Sequence, residues 1–114
     1  MPTCLITGAS GGVASALASR LRAQGWRLAL VGRDAARIAG TGEDVVIGAD
    51  VSSEAGAAQA LAAASEAFGA PPDAVVNCAG AILIAPIGRT SEAQYRDCLA
   101  ANLDTAFFTA KAYV

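Results

Sequence analysis

Apolar residues follow two rhythms along this chain: short unbroken runs, and longer stretches in which they return every third or fourth position. Leu5 and Ile6 lead directly into Gly8-Ala9-Ser10-Gly11-Gly12, which reads as a buried strand entering a glycine-rich turn. Ala14, Leu17, Ala18 and Leu21 then share one helical face, and Gly25 is a natural stop. Arg27 to Val31 predicts a second strand leaving through Gly32-Arg33-Asp34, with Asp34 able to cap a short helix through Ile38. A third strand is predicted from Val45 to Ile47, ending near Asp50. Ser53 is placed to cap a helix whose face carries Ala57, Leu61, Ala64 and Phe68 up to Gly69. Pro71-Pro72 blocks further helix, and Ala74 to Val76 predict a fourth strand opening into Asn77-Cys78-Ala79-Gly80. After a loop from Ala81 to Thr90, Ser91-Glu92-Ala93-Gln94 matches a capping box. The spacing of Tyr95, Leu99, Leu103 and Ala106 predicts one helical face continuing toward Val114.

Strands alternating with helices predict an α/β fold with a parallel sheet and right-handed crossovers. Composition agrees: 54% hydrophobic and 16% charged residues exclude a disordered chain, and the many alanines favour closely packed helices. A net charge of −2 with scattered basic residues gives no patch for nucleic acid or an anionic membrane surface. Cys4, Cys78 and Cys98 are odd in number, far apart and without any histidine, so neither a disulfide framework nor a zinc site is expected. Reduced thiols and the absence of an export-type apolar start lead to the expectation of a soluble cytoplasmic protein.

The strand-to-helix turn is where chemistry is expected. A diphosphate needs backbone N–H groups aimed from a helix N-terminus and residues without side chains where the backbone comes close. Gly8, Gly11 and Gly12 meet both needs, although a tight turn alone would use the same glycines. No Gly-Lys-Ser/Thr follows, which disfavours a Walker-type loop.

The segment Thr7-Gly8-Ala9-Ser10-Gly11-Gly12-Val13-Ala14 resembles the T-G-x-x-x-G-x-G of the short-chain dehydrogenase/reductase family, with Ala14 in place of the last glycine. It fits equally the T-G-x-x-G-x-x-A of the extended, epimerase-like branch. Asp50-Val51 is similar to the family's Asp-Val pair, which contacts adenine; a helix-leading aspartate would give the same local pattern. Asn77-Cys78-Ala79-Gly80 is similar to the Asn-Asn-Ala-Gly of the main branch, with Cys78 as the departure. Asn102 stands where the family has a helix-bending asparagine that helps hold a water of the proton relay.

The resemblance implies the N-terminal half of a Rossmann-type, doubly wound parallel sheet with strand order 3-2-1-4, residues 1–114 forming part of a single NAD(P)-binding domain. It implies cofactor binding by Gly8, Ser10, Gly11, Gly12, Val13, Arg33, Asp50, Val51, Asn77, Ala79 and Gly80, and a catalytic relay role for Asn102. Gly32 occupies the place of an NAD-specific acid, and Arg33 offers a planar fork for a 2′-phosphate, so NADP is expected, with NAD the alternative. The family's Y-x-x-x-K pair is absent: Leu99 follows Tyr95 at that spacing. The catalytic Ser, Tyr and Lys are therefore expected beyond Val114, in a longer parent protein that forms a homo-oligomer. The expected function is hydride transfer between NADP(H) and a small carbonyl or alcohol substrate. An extended-branch epimerase or dehydratase and a non-catalytic nucleotide-binding regulator are the alternatives. Ile82 to Ile87 is expected either to border an apolar substrate or to pack against the absent half.

Overall fold

The run Cys4-Leu5-Ile6 and its partner Leu28-Ala29-Leu30-Val31 are almost entirely shielded from solvent, as central strands of a parallel sheet must be. In the computed structural model, which describes residues 1–114, they belong to β1 (Thr3–Thr7) and β2 (Arg27–Gly32). With β3 (Val45–Gly48) and β4 (Ala74–Asn77) they form one sheet of order β3-β2-β1-β4, all pairs parallel. The order agrees with the sequence expectation.

Side chains alternate across each strand, which divides the core into two layers. Cys4, Ile6, Leu28 and Leu30 face α1 (Gly12–Ala23) through Ala14 and Ala18. Leu5, Ala29, Val31 and Ile47 face α2 (Glu54–Phe68) through Ala57, Ala60, Leu61 and Ala64. Alanine on the helical side lets the backbones approach closely, so truncating a strand residue such as Leu5 would cost about 2–5 kcal/mol.

Helix ends follow local rules. Ser53 accepts a hydrogen bond from the Gly56 amide at 3.0 Å, and α2 stops at Gly69 in the left-handed region (φ 79°). Asp34 accepts from Ala36 N at 3.1 Å and begins a single 3-10 turn, Ala35–Arg37. Ser91 and Gln94 complete a reciprocal capping box before α3 (Glu92–Leu99). Ile87–Arg89 adds a 3-10 turn inside the preceding loop.

One helical expectation fails. Tyr95 and Leu103 are 53% and 59% exposed, and the buried positions beyond them are Thr105 and Thr109 in α4 (Thr105–Tyr113). Between α3 and α4 the backbone widens into a π turn at Ala100–Asp104, which shifts the helical phase by one residue. Extrapolating a regular period through that bulge misplaces Leu103, whereas Tyr95 precedes it in α3, which buries no residue. Phe108 and Ala112 of α4 pack on the α2 side of the core, while the Lys111–Glu54 ion pair and a 2.8 Å hydrogen bond from Tyr113 OH to the Pro72 carbonyl tie the helix down.

Candidate functional site

At the carboxyl ends of the strands, the loops after β1, β2, β3 and β4 enclose a cleft of about 670 Å³, the location at which open parallel sheets bind ligands. Gly8, Ser10, Gly11, Arg33, Asp50, Val51, Ala79 and Gly80, all singled out from the sequence, line it together. Gly12 and Val13 open α1 beside the cleft without lining it. Asn77 lies beneath, its Oδ1 accepting a hydrogen bond from the fully buried Thr7 hydroxyl. A smaller depression of about 200 Å³, around Met1, Trp26 and Thr41, contains none of the residues expected from the sequence.

The turn after β1 is shaped by close backbone approach. Gly8 has φ +64°, and a Cβ there would lie 2.6 Å from the Ala79 nitrogen, so the exits of β1 and β4 meet almost backbone to backbone. The Gly11 amide closes the turn on the Gly8 carbonyl at 3.1 Å, and the Ser15 amide returns to the Gly11 carbonyl at 3.0 Å. No side chain caps α1, and the first-turn amides of Gly12, Val13 and Ala14 receive no loop carbonyl. The exposed amides of Gly12 and Val13 and the positive end of a twelve-residue helix thus remain for an external acceptor, while Ala14 is buried.

The other walls carry charge. Asp50 Oδ1 accepts from the Ser52 hydroxyl at 2.6 Å and the Ser52 amide at 3.0 Å. These bonds, with a smaller contribution from the nearby Arg33 charge, hold its carboxyl below the ordinary range. Asp50 therefore does lead into α2, with Oδ2 outside these bonds. Asp34 is engaged in its cap and is not part of the lining, whereas Arg33 is. The Cys78 thiol lines the cleft and is pushed up by burial, which keeps it neutral.

Asn102 sits behind the β4 exit. Its Nδ2 donates to the carbonyls of Ala81 and Cys98, both at 2.9 Å, and its Oδ1 accepts from the Ala81 amide at 3.2 Å. A Cβ on Gly80 would come within 2.9 Å of that oxygen. Asn102 thus pins the Gly80-Ala81 turn to the π turn of the helix.

Sequence reading missed the helical wall: Asp97, Ala100, Ala101 and Thr105 line the cleft opposite the strand ends. Asp97, Ala101 and Thr105 recur every fourth residue, but the π turn lies among them, so spacing alone does not place them on one wall. Ala49 and Ser52, beside the expected Asp50 and Val51, also belong to the lining.

Residues 2–114 match the family model described as short chain dehydrogenase. The chain is 33% identical over 112 residues to the NADP-dependent (R)-specific alcohol dehydrogenase of Lentilactobacillus kefiri, covering 91% of this chain and 44% of that protein. A short-chain dehydrogenase/reductase structure of the glucose/ribitol dehydrogenase type from Brucella melitensis superposes with a TM-score of 0.89 at 30% identity, over 98% of this chain and 50% of that one. A 3-ketoacyl-(acyl-carrier-protein) reductase from the same organism, complexed with NADH, gives 0.86 at 26% identity, over 96% and 48% respectively. The chain spans about half the length of the relatives it matches. No helix is long and apolar enough to cross a membrane.

Proposed function

This chain belongs to the short-chain dehydrogenase family, and from that premise we propose that it supplies the cofactor-binding half of an oxidoreductase acting between NADP(H) and a small carbonyl or alcohol substrate. The observation that carries the proposal is the pair of exposed first-turn amides at Gly12 and Val13 left without protein acceptors beside a glycine-lined cleft. That donor set suits a diphosphate, and the close packing at Gly8 brings the exits of β1 and β4 together beneath it. Ser10 and Gly11 would flank the diphosphate, Asp50 and Val51 the adenine, and Ala79 and Gly80 the ribose side. Asn77 supports this wall through Thr7.

Arg33 favours NADP, because its guanidinium can meet a 2′-phosphate with paired donors, while the only acid beside it in sequence, Asp34, is occupied in a cap. The Lentilactobacillus relative is NADP-dependent by name; the Brucella reductase was complexed with NADH. When bound, the nicotinamide donates or accepts the hydride. This chain's part is to orient it, and Asn102 holds the Gly80-Ala81 turn in place as the relay-side support. The proton-transferring tyrosine and lysine are not within residues 1–114, and we assign them to the remaining length that the relatives possess. Tyr95, Leu103 and Phe107, exposed along α3 and α4, support a homo-oligomer. The three free cysteines suit a reducing, cytoplasmic setting.

Titration of the intact protein with NADP(H) and NAD(H), followed by nicotinamide fluorescence, tests the assignment. Arg33→Ala should weaken NADP(H) by roughly 10- to 100-fold and NAD(H) by less than about twofold. Equal losses for the two cofactors would return Arg33 to a solvated loop charge.

A further inference from the structure

Arg33 makes no ion pair or side-chain hydrogen bond that could fix its direction, so its aim is set by the backbone on either side. Before it, the Gly32 carbonyl accepts from the Ala49 amide at 3.0 Å; after it, Asp34 caps Ala36, and the Asp34 carbonyl accepts from Arg37 N at 3.1 Å. The whole turn is seated on two glycines. Gly32 and Gly48 are register partners at the carboxyl ends of β2 and β3. Ile38 fills the space over Gly32, where a Cβ would meet its Cδ1 at 3.2 Å and its Cγ1 at 3.4 Å. Ala35 covers Gly48, where a Cβ would only touch Ala35 Cβ at 3.4 Å. Ile38 is itself 9% exposed and packed in the core layer with Leu30 and Ile6. A side chain at position 32 therefore has to displace the Ile38 end by a few tenths of an ångström, and with Ile38 held in the core that push is passed to the turn that carries Arg33.

We infer that Ile38, seated on Gly32, is a positioning residue that aims Arg33 into the cleft, so that preference for a 2′-phosphate is held by this packing contact as well as by the guanidinium. The inference rests on the NADP reading above. It has a second consequence: an acidic residue at position 32, of the kind that would bind a ribose hydroxyl, presses on Ile38, so a switch to NAD is better made with a smaller residue at position 38 as well.

The readout is the ratio of NADP to NAD dissociation constants in the intact protein, with the melting temperature measured beside it. Gly32→Ala should lower the preference for NADP roughly tenfold while NAD affinity stays within about twofold. Adding Ile38→Val, which removes the Cδ1 methyl, should restore the ratio, and Gly48→Ala should leave it unchanged. An unchanged ratio in Gly32→Ala, or no rescue by Ile38→Val, overturns the inference. If Gly32→Ala does not fold, Ile38→Ala replaces it: the void beneath the turn should also lower the ratio, and an unaltered ratio overturns the inference equally. Arg33→Ala separates the two levels. Equal losses of NADP and NAD there defeat the NADP reading itself, whereas selective loss there with a normal ratio in Gly32→Ala defeats only the role of Ile38.

Discussion

Gly8 and Gly12 lie in the same turn, yet replacing them should damage different properties. At Gly8 the positive φ of 64° places any L-residue in the left-handed region, a cost of about 1–2 kcal/mol. The added Cβ would also stand 2.6 Å from Ala79 N, 2.7 Å from Ala79 Cα and 2.7 Å from Cys78 C. All three are backbone atoms, so relief requires separating the exits of β1 and β4, which adds about 1–3 kcal/mol. Gly8→Ala should therefore lose roughly 2–5 kcal/mol, a fall in melting temperature on the order of 10 °C for a domain of about 150–250 residues. At Gly12 a Cβ meets nothing within 4 Å, and valine has a better helix propensity than glycine by a few tenths of a kcal/mol. Gly12→Val should melt within about 2 °C of the parent. Its branched side chain would nevertheless crowd the approach to the first-turn amides, and cofactor affinity should fall by about 100-fold. Calorimetry and fluorescence titration of both variants in the intact protein give the comparison. A Gly8→Ala protein as stable as the parent would refute the backbone contact; a Gly12→Val protein binding NADP(H) normally would refute the diphosphate site.

Three further outcomes follow from other contacts. Gly56 faces the β3 exit so closely that a Cβ would fall 1.8 Å from the Asp50 carbonyl oxygen; Gly56→Ala should destabilise by roughly 3 kcal/mol, read from the urea midpoint, and an unshifted midpoint would contradict that approach. Thr109 Oγ1 is buried without any hydrogen-bond partner, so Thr109→Val, which keeps the shape, should stabilise by about 1 kcal/mol, and a loss instead would mean that the hydroxyl has a partner. Burial, with a smaller contribution from Cys78, pushes the Cys4 thiol up to about 11 from an ordinary 9.0. Because the neutral thiol is favoured in the fold, its contribution is full below pH 9.0 and is lost as pH rises toward about 11. Cys4→Ala should flatten the alkaline limb of the stability profile; identical slopes in parent and variant would count against this.

Features whose cause lies within a few residues were legible in the sequence. The Ser53 and Ser91 caps, the Asp34 turn, the glycine stop at Gly69 and the strand-turn-helix at Gly8 to Gly12 depend on hydrogen bonds and dihedral preferences that a short peptide already carries. The alternation of apolar runs and helical faces indicated a parallel sheet with right-handed crossovers, whereas its strand order came from the family resemblance. The glycine turn and the residues at strand ends marked most of the cleft for the same reason: a parallel sheet delivers all its carboxyl ends to one rim.

What the tertiary structure alone decided are the contacts between segments remote in the chain. The π turn at Ala100–Asp104 accompanies an Asn102 side chain bonded to Ala81, 21 residues earlier, and no local periodicity announces the resulting change of phase. Asp97 reaches the cleft only because α3 lies across the strand ends, and Ile38 bears on Gly32 only because the turn between them folds back onto the sheet. Local propensity acts through bonds and dihedrals near in sequence, whereas packing acts through distances that exist only once the sheet is assembled. That is why the chemistry of the rim could be read from the residues, while its helical wall and the seating of Arg33 could not.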